Sequence, residues 1–389
     1  MNSKPWVAYV GPFRFPDGGA ASRRILGNAL SIYESGYDVK IISGQKKNEI
    51  KMDFPDFLDV FSVEERTAEN LPQFLKRAVY FFMGRKTYNW FNSQNTKPNY
   101  IILYSGYTPY ILWMMYYSKK HKIPLFFDAV EWYQQSTLLK NLLSPYQWNI
   151  EIAMRFLLPK LDGLIVISDY LLQIYRRKIK KIVKIPPTLN IKKISPRYTP
   201  KKTSILTIAY TGTPGIKDSL NEIFEAISYI NSEKQFVMLN LAGMTDSELF
   251  NYNFFKNNEK KIPRYIKIYG KLLHSDAVDL VRNSDFSILV RKKNKVSSAG
   301  FSTKMVESLS VGTPLIANIT GDMGSYLSDG INSILCSGTD RENIISALKR
   351  AIHLSLHDHK NMRCYARKTA ESAFDYQQYI EKFKNELFL

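Results

Sequence analysis

Residues 6–43 read WVAYVGPFRFPDGGAASRRILGNALSIYESGYDVKIIS. Trp6 to Val10 is a short apolar run of strand character. From Ala21 to Ser35 the apolar residues Ile25, Leu26, Ala29, Leu30 and Tyr33 recur at helical spacing, and Gly36 follows as a stop signal. A second β-branched run, Asp38 to Ser43, completes a strand–helix–strand unit. Repetition of that unit predicts a mostly parallel sheet covered by helices on both faces.

The pattern continues outward. Further strands are predicted at Tyr100 to Ser105, Pro124 to Val130 and Gly163 to Ser168. The stretch IPPTLNIKKISPRYTPKKTS, residues 185–204, carries four prolines and many lysines with little apolar period, and reads as a connector. Alternation then resumes, with strands at Ile205 to Tyr210, Phe236 to Leu241, Ile266 to Tyr269, Asp285 to Val290, Pro314 to Asn318 and Ser333 to Cys336. Helices are predicted near Ser219 to Ile230, Ser275 to Arg282 and Thr303 to Ser310. Two doubly wound α/β domains are therefore expected: residues 1–195, residues 196–372, and a last helix, 373–389, crossing back to the first. At 389 residues the chain is also too long for one ordinary core.

Composition excludes several classes. The apolar share is 45% and the charged share 23%, as in a globular chain. No run approaches the roughly 20 apolar residues of a spanning helix, since YILWMMYY (110–117) gives way to Lys119. The first residues lack a secretory layout, and two cysteines argue against a disulfide framework or a thiolate metal site. A cytoplasmic protein is expected. The net charge of +19 is uneven: residues 1–200 hold 29 Lys and Arg against 15 Asp and Glu, the remainder 25 against 20. A basic half fits a polyanionic partner, nucleic acid or an acidic membrane face, although a lysine-rich proteome would raise the count everywhere. No base-stacking or groove-reading module is apparent, which weighs against nucleic acid. Residues 71–92, LPQFLKRAVYFFMGRKTYNWFN, combine four basic residues and seven aromatics with no acid, suiting the interface of an anionic bilayer.

Chemistry concentrates at strand–helix junctions, where open parallel sheets bind ligands. The first loop places Gly18 and Gly19 before a helix, where free N–H groups and the helix dipole favour an anion. It matches neither the dinucleotide fingerprint nor the phosphate loop of NTPases. In YTGTPGIKDSLNEIFEAI (210–227) a strand ends at Gly212, and Lys217 precedes a helix, a place suited to a phosphate. The third junction is DFSILVRKKNKVSS (285–298) running into AGFSTKMVESLSVGTPLIAN (299–318). Arg291 stands at the strand end, Ser302 or Thr303 caps the next helix, and Met305, Val306 and Leu309 form its buried stripe. Glu307 lies one turn in, with Arg291 and Lys304 nearby. A carboxylate beside a phosphate site accepts hydrogen bonds from ribose hydroxyls.

Taken together, GGAASRR, GYDVKIIS, DGLIVISDYL, IPPTLN, YTGTPGIKDSLNEI, GFSTKMVESLSVGTPLIAN and YLSDGINSIL resemble the family 4 retaining glycosyltransferases of the GT-B fold, glycosyl transferases group 1. The resemblance implies two Rossmann-like domains facing a cleft, and transfer of a sugar from a nucleotide-diphospho-sugar of UDP or GDP type, with retention and without a metal or other cofactor. It implies a glycan or lipid-linked acceptor in surface or capsular polysaccharide assembly. A GT-B epimerase or hydrolase, or a catalytically silent glycan-binding partner, are the alternatives. By this resemblance Glu307 binds the ribose, Lys217 the donor diphosphate, and Gly300, Phe301, Ser302 and Thr303 supply backbone toward phosphate and sugar. Two positions depart from the family. The first glutamate of its pair falls on Ala299, and the basic residue expected after Gly212 is Thr213, so Arg291 is the candidate substitute. On the acceptor side, PLFFDAVEWYQQS (124–136) offers Asp128 and Glu131 as candidate catalytic carboxylates. A strand running through both would turn them to opposite faces, which favours Glu131.

Overall fold

The structure is a computed structural model that describes residues 4–16, 19–46, 57–66, 72, 75, 79–104, 106–132, 144–200, 204–215 and 218–388. The chain divides into two compact units: Met1–Leu189 with Ala299–Phe301 and Tyr376–Leu389, and Asn190–Ser298 with Ser302–Asp375.

In the first unit, strands β1 (Trp6–Gly11), β2 (Asp38–Ser43), β3 (Leu58–Ser62), β4 (Tyr100–Leu103), β5 (Leu125–Ala129), β6 (Gly163–Val166) and β7 (Lys181–Lys184) form one sheet in the order β3-β2-β1-β4-β5-β6-β7. Every neighbouring pair is parallel. β1, β5 and β6 are buried along their whole length, as strands covered on both faces must be. The edge strands β3 and β7 were not apparent in the sequence.

Two apolar layers cover this sheet. Helix Ala20–Glu34 packs Ile25, Ala29 and Ile32 on one face, beside Phe383, Leu387 and Phe388 of the chain's last segment. Ser31 Oγ donates to the Tyr376 carbonyl at 2.8 Å, and Tyr100 stacks on Phe388. The opposite face buries Tyr110, Met114 and Tyr117 of helix Thr108–His121, with Ile150, Met154 and Leu158 from the segment that follows Ser144.

The second unit repeats the plan with β8 (Leu206–Thr211), β9 (Val237–Ala242), β10 (Ile266–Ile268), β11 (Phe286–Leu289), β12 (Leu315–Ala317) and β13 (Ser333–Leu335) in the order β10-β9-β8-β11-β12-β13, again all parallel. Its core joins these strands to the apolar stripe of helix Leu220–Ile230, which buries Leu220, Ile223, Phe224 and Ile227. A fully buried cation stitches the unit together: Arg363, on helix Leu356–Ala373, donates to the carbonyls of Arg197, Arg282 and Ser284. Burial pulls its guanidinium down to about 10 even with Asp285 opposing the shift.

Gly27 shows how tightly the first unit is packed. A Cβ there would stand 2.4 Å from Thr188 Oγ1 and 2.5 Å from the Thr188 carbonyl oxygen. Alanine favours a helix by about 1 kcal/mol over glycine, but a backbone oxygen cannot rotate away, and overpacking costs about 1–3 kcal/mol. Gly27→Ala is expected to lower unfolding stability in urea despite its better propensity. A more stable variant would mean that the helix does not approach Thr188 so closely.

Candidate functional site

Parallel pairing sends the carboxyl ends of all strands of a sheet to one edge, and in each unit the chemistry gathers there.

In the second unit β8 is followed by Gly212, at φ +92°, where only glycine is unstrained. The turn at Gly243 lies against it so closely that a Cβ on Gly243 would stand 2.5 Å from the Gly212 backbone. Around this point four side chains converge. Asp218 Oδ1 accepts from Arg291 Nε at 2.7 Å, and Oδ2 accepts from Tyr210 Oη at 2.8 Å, Gly215 N at 3.1 Å and Lys304 Nζ at 3.4 Å. Lys304 Nζ also donates to Tyr210 Oη at 2.7 Å. Backbone pairing pins the cluster: Ser219 N donates to the Val290 carbonyl, and Asn318 bonds both the N–H and the carbonyl of Arg291.

Burial pushes the Asp218 carboxyl up, but Lys304 and Arg291, helped by the Gly215 N–H and Tyr210, outweigh that and hold it down at about 2. Tyr210 is driven well above its ordinary range, by burial first and then by the Asp218 charge. The phenol is therefore a neutral relay between a cation and an anion.

Helix Thr303–Ser310 begins beside this cluster. Ser302 is its cap, accepting from Met305 N, and Met305, Val306 and Leu309 are buried. Lys304 and Glu307, three residues apart, share one helix face. Glu307 is half-buried, with Oε1 3.1 Å from His274 Nε2. The segment before it, expected as loop, contains a short helix, Lys295–Ala299.

In the first unit the strand-end loops enclose a cavity of about 550 Å³, whose walls include Arg14, Arg66, Tyr104, Tyr107, Glu131 and Tyr146. Asp128 reaches the same cavity but is fully engaged. It accepts from Arg24 Nε and Nη2, the latter at 2.6 Å, and from Tyr9 Oη and Asn28 Nδ2, with both members of the ion pair buried. Burial alone would pull the Arg24 guanidinium down, and Asp128 more than reverses it. β5 ends at Ala129, so strand alternation does not extend to Glu131, and the two carboxylates line one cavity instead of opposite faces. Among the described residues nothing hydrogen-bonds or ion-pairs with the Glu131 carboxylate. Tyr104 is pushed well up, mainly by burial, with Asp128 and Glu131 adding to it.

Of the residues singled out from the sequence, Gly212, Arg291, Lys304, Ser302, Thr303 and Glu307 lie along one stretch of the second unit's strand-end edge. Gly19, exposed at φ +66°, is the N-terminal cap position of helix Ala20–Glu34. Gly300 and Phe301 group with the first unit, as does Ala299, whose buried carbonyl accepts from Ser168 Oγ at 2.8 Å. Lys217 and Gly18 lie outside the described residues. Arg291, expected to offer a charge to the donor, is already paired with Asp218. Asp218, Tyr210 and His274 went unread: only the fold brings Asp218 to Arg291, 73 residues away. Among the described residues no group of three or more His, Cys, Asp or Glu side chains could hold a metal ion.

Asp218 predicts an acid response. Its folded pKa lies below the reference 3.8, so its stabilising charge is in full effect above pH 3.8 and is lost as pH falls toward about 2. The contribution is about 2 kcal/mol. Asp218→Asn should flatten unfolding stability between pH 4 and 2, and cost about 3–5 kcal/mol at neutral pH by removing the buried carboxylate with which Arg291 pairs. Parallel curves for wild type and variant across that range would contradict the assignment.

Residues 192–369 match the family described as Glycosyl transferases group 1. No curated protein is significantly similar in sequence. Among solved structures, sucrose-phosphate synthase from Thermosynechococcus elongatus superposes with TM-score 0.76 at 12% identity, over 98% of this chain and 97% of that one. The Anabaena HepE protein in complex with UDP and glucose gives 0.65 at 12% identity, over 98% and 99%. A trehalose-6-phosphate structure from E. coli, bound with UDP-2-fluoro glucose, gives 0.69 at 12% identity, over 98% and 98%. The fold is GT-B, and the match to the glycosyl transferases group 1 model spans most of the second unit.

Proposed function

We propose that this glycosyltransferase moves a sugar from a nucleotide-diphospho-sugar, of UDP or GDP type, to a glycan or lipid-linked acceptor, with retention and without a metal, in the assembly of surface or capsular polysaccharide. The observation that carries the reading is the convergence of Lys304, Arg291 and the capped start of helix Thr303–Ser310 on the Gly212 turn, with Glu307 one helical turn away. Two cations and free helix N–H groups favour a diphosphate, and they stabilise the charge that develops on it as the sugar leaves. Glu307, facing the same side of its helix as Lys304, accepts from ribose hydroxyls. Asp218 holds the two cations in position.

In the first unit the cavity takes the acceptor. Tyr104, Tyr107 and Tyr146 offer flat apolar faces and hydroxyls of the kind that grip sugar rings, and Glu131 accepts from an acceptor hydroxyl. Asp128 does not exchange protons with the acceptor in this reading, because its lone pairs are taken by Arg24, Tyr9 and Asn28. Solved neighbours that hold UDP with glucose, or a UDP-fluoro sugar, lend weight to a UDP-type donor. A buried alanine at 299 in place of a family carboxylate favours either an altered donor sugar or a silent glycan-binding partner.

A panel of UDP- and GDP-sugars separates these readings. At least one donor is expected to release nucleotide slowly, with an acceptor accelerating release, and Glu307→Ala is expected to lower turnover about 100-fold, or about 2.7 kcal/mol. Failure of every donor to bind or turn over would overturn the proposal. Donor consumption that yields an isomerised or hydrolysed sugar and never a glycosylated acceptor would replace it with the epimerase or hydrolase reading.

A further inference from the structure

We infer that the outer face of one helix layer of the first unit docks on an anionic lipid bilayer. The connections β3→β4, β4→β5 and β5→β6 all cross the sheet in the same direction, and right-handed crossovers put their helices on one face. Arg85–Asn92 packs beside Thr108–His121, which packs beside Pro145–Ile152 and its continuation Ala153–Leu157. The inner side of this layer is core. The outer side leaves large apolar side chains in water: Phe81 is 72% exposed, Phe156 62%, Trp148 59%, Tyr116 55% and Leu112 49%. They follow helical stripes, Leu112 with Tyr116, and Trp148 with Ile152 and Phe156, so the exposure is that of whole helix faces. Phe81, Leu112 and Tyr116 line one shallow hollow. Single exposed apolar residues are ordinary, but a contiguous field of them marks an interaction surface.

Charge identifies the occupant. Residues 71–127 contain eight Lys and Arg and not one Asp or Glu. Arg85, Lys86, Lys119, Lys120, Arg155 and Lys160 are exposed on or beside the layer. Aromatic and aliphatic side chains within a field of cations match the headgroup region of an anionic bilayer. A second copy of this chain would oppose the same positive face to itself, so charge weighs against self-association. No helix among the described residues is long and apolar enough to cross a membrane, so the contact is peripheral.

The surface differs from the segment singled out in the sequence. Of residues 71–92, Phe81, Phe82, Arg85 and Lys86 face outward, while Phe91 is buried against Tyr117, and Lys76 and Arg77 lie outside the described residues. Most of the remaining exposed apolar side chains come from two later helices. The inference does not depend on which sugar, if any, the protein transfers.

Co-sedimentation of the full chain with vesicles tests it, using phosphatidylcholine alone and phosphatidylcholine with phosphatidylglycerol. The protein is expected to pellet with the anionic vesicles at about 50 mM salt, and at least tenfold less at about 500 mM or with neutral vesicles. Leu112→Glu with Tyr116→Glu, and separately Trp148→Glu with Phe156→Glu, are each expected to lower partitioning at least tenfold. Unchanged circular dichroism and unchanged melting would show that these exposed substitutions leave the fold intact. Wild-type protein that stays in the supernatant, binding indifferent to lipid charge, or folded variants that pellet as well as wild type would each overturn the inference. So would a concentration-dependent dimer in sedimentation velocity that the same substitutions abolish, because the face would then be occupied by a second copy.

Discussion

Asp218 is the interaction on which the donor-side geometry depends. Two cations at one strand–helix junction repel each other, and burying them without a counter-charge would be costly. A carboxylate placed between Arg291 and Lys304, and backed by Tyr210, lets both approach the Gly212 turn. The low pKa of Asp218 is the signature of that compensation. In the proposed reading a diphosphate would meet cations already oriented, so that less side-chain entropy is lost on binding. The first unit uses the same device differently: Arg24 and Asp128 form a buried ion pair beside the cavity, which leaves Glu131 as the carboxylate available to a ligand there.

Parallel sheets make this arrangement possible. Because every strand in each unit points the same way, the turns after β1, β4 and β5, and those after β8, β9 and β11, open at common edges. Residues far apart in sequence meet there, such as Arg24 with Asp128 and Asp218 with Arg291. The apolar cores beneath hold the turns still, and Gly27 against Thr188 and Gly243 against Gly212 show how closely backbone segments approach one another.

This division explains what could be read from the sequence. Interior strands such as β1 and β6 are apolar throughout, and helices such as Ala20–Glu34 and Thr303–Ser310 carry a clear period, so the α/β fold and the place of Glu307 were legible. The edge strands of the first unit were not. In β3 (LDVFS) and β7 (KIVK) one side faces water, and interspersed charges hide the pattern. Lys295–Ala299, with two serines and a β-branched residue, reads as loop for the same local reason. Asp218 was overlooked beside the more conspicuous Lys217, because its burial is decided by a partner 73 residues on. The run YILWMMYY looks like pure core, and only the packed helix layer shows that Leu112 and Tyr116 face outward.

The central claim, that the Arg291–Asp218–Lys304 cluster is a diphosphate site, is tested most directly by calorimetric titration with UDP and GDP beside UMP and GMP. If the second phosphate meets those cations, one diphosphate should bind at least about tenfold tighter than its monophosphate, a difference of about 1.4 kcal/mol, and the advantage should shrink with salt. Equal affinity for mono- and diphosphate, or no affinity for any of the four, would contradict the account.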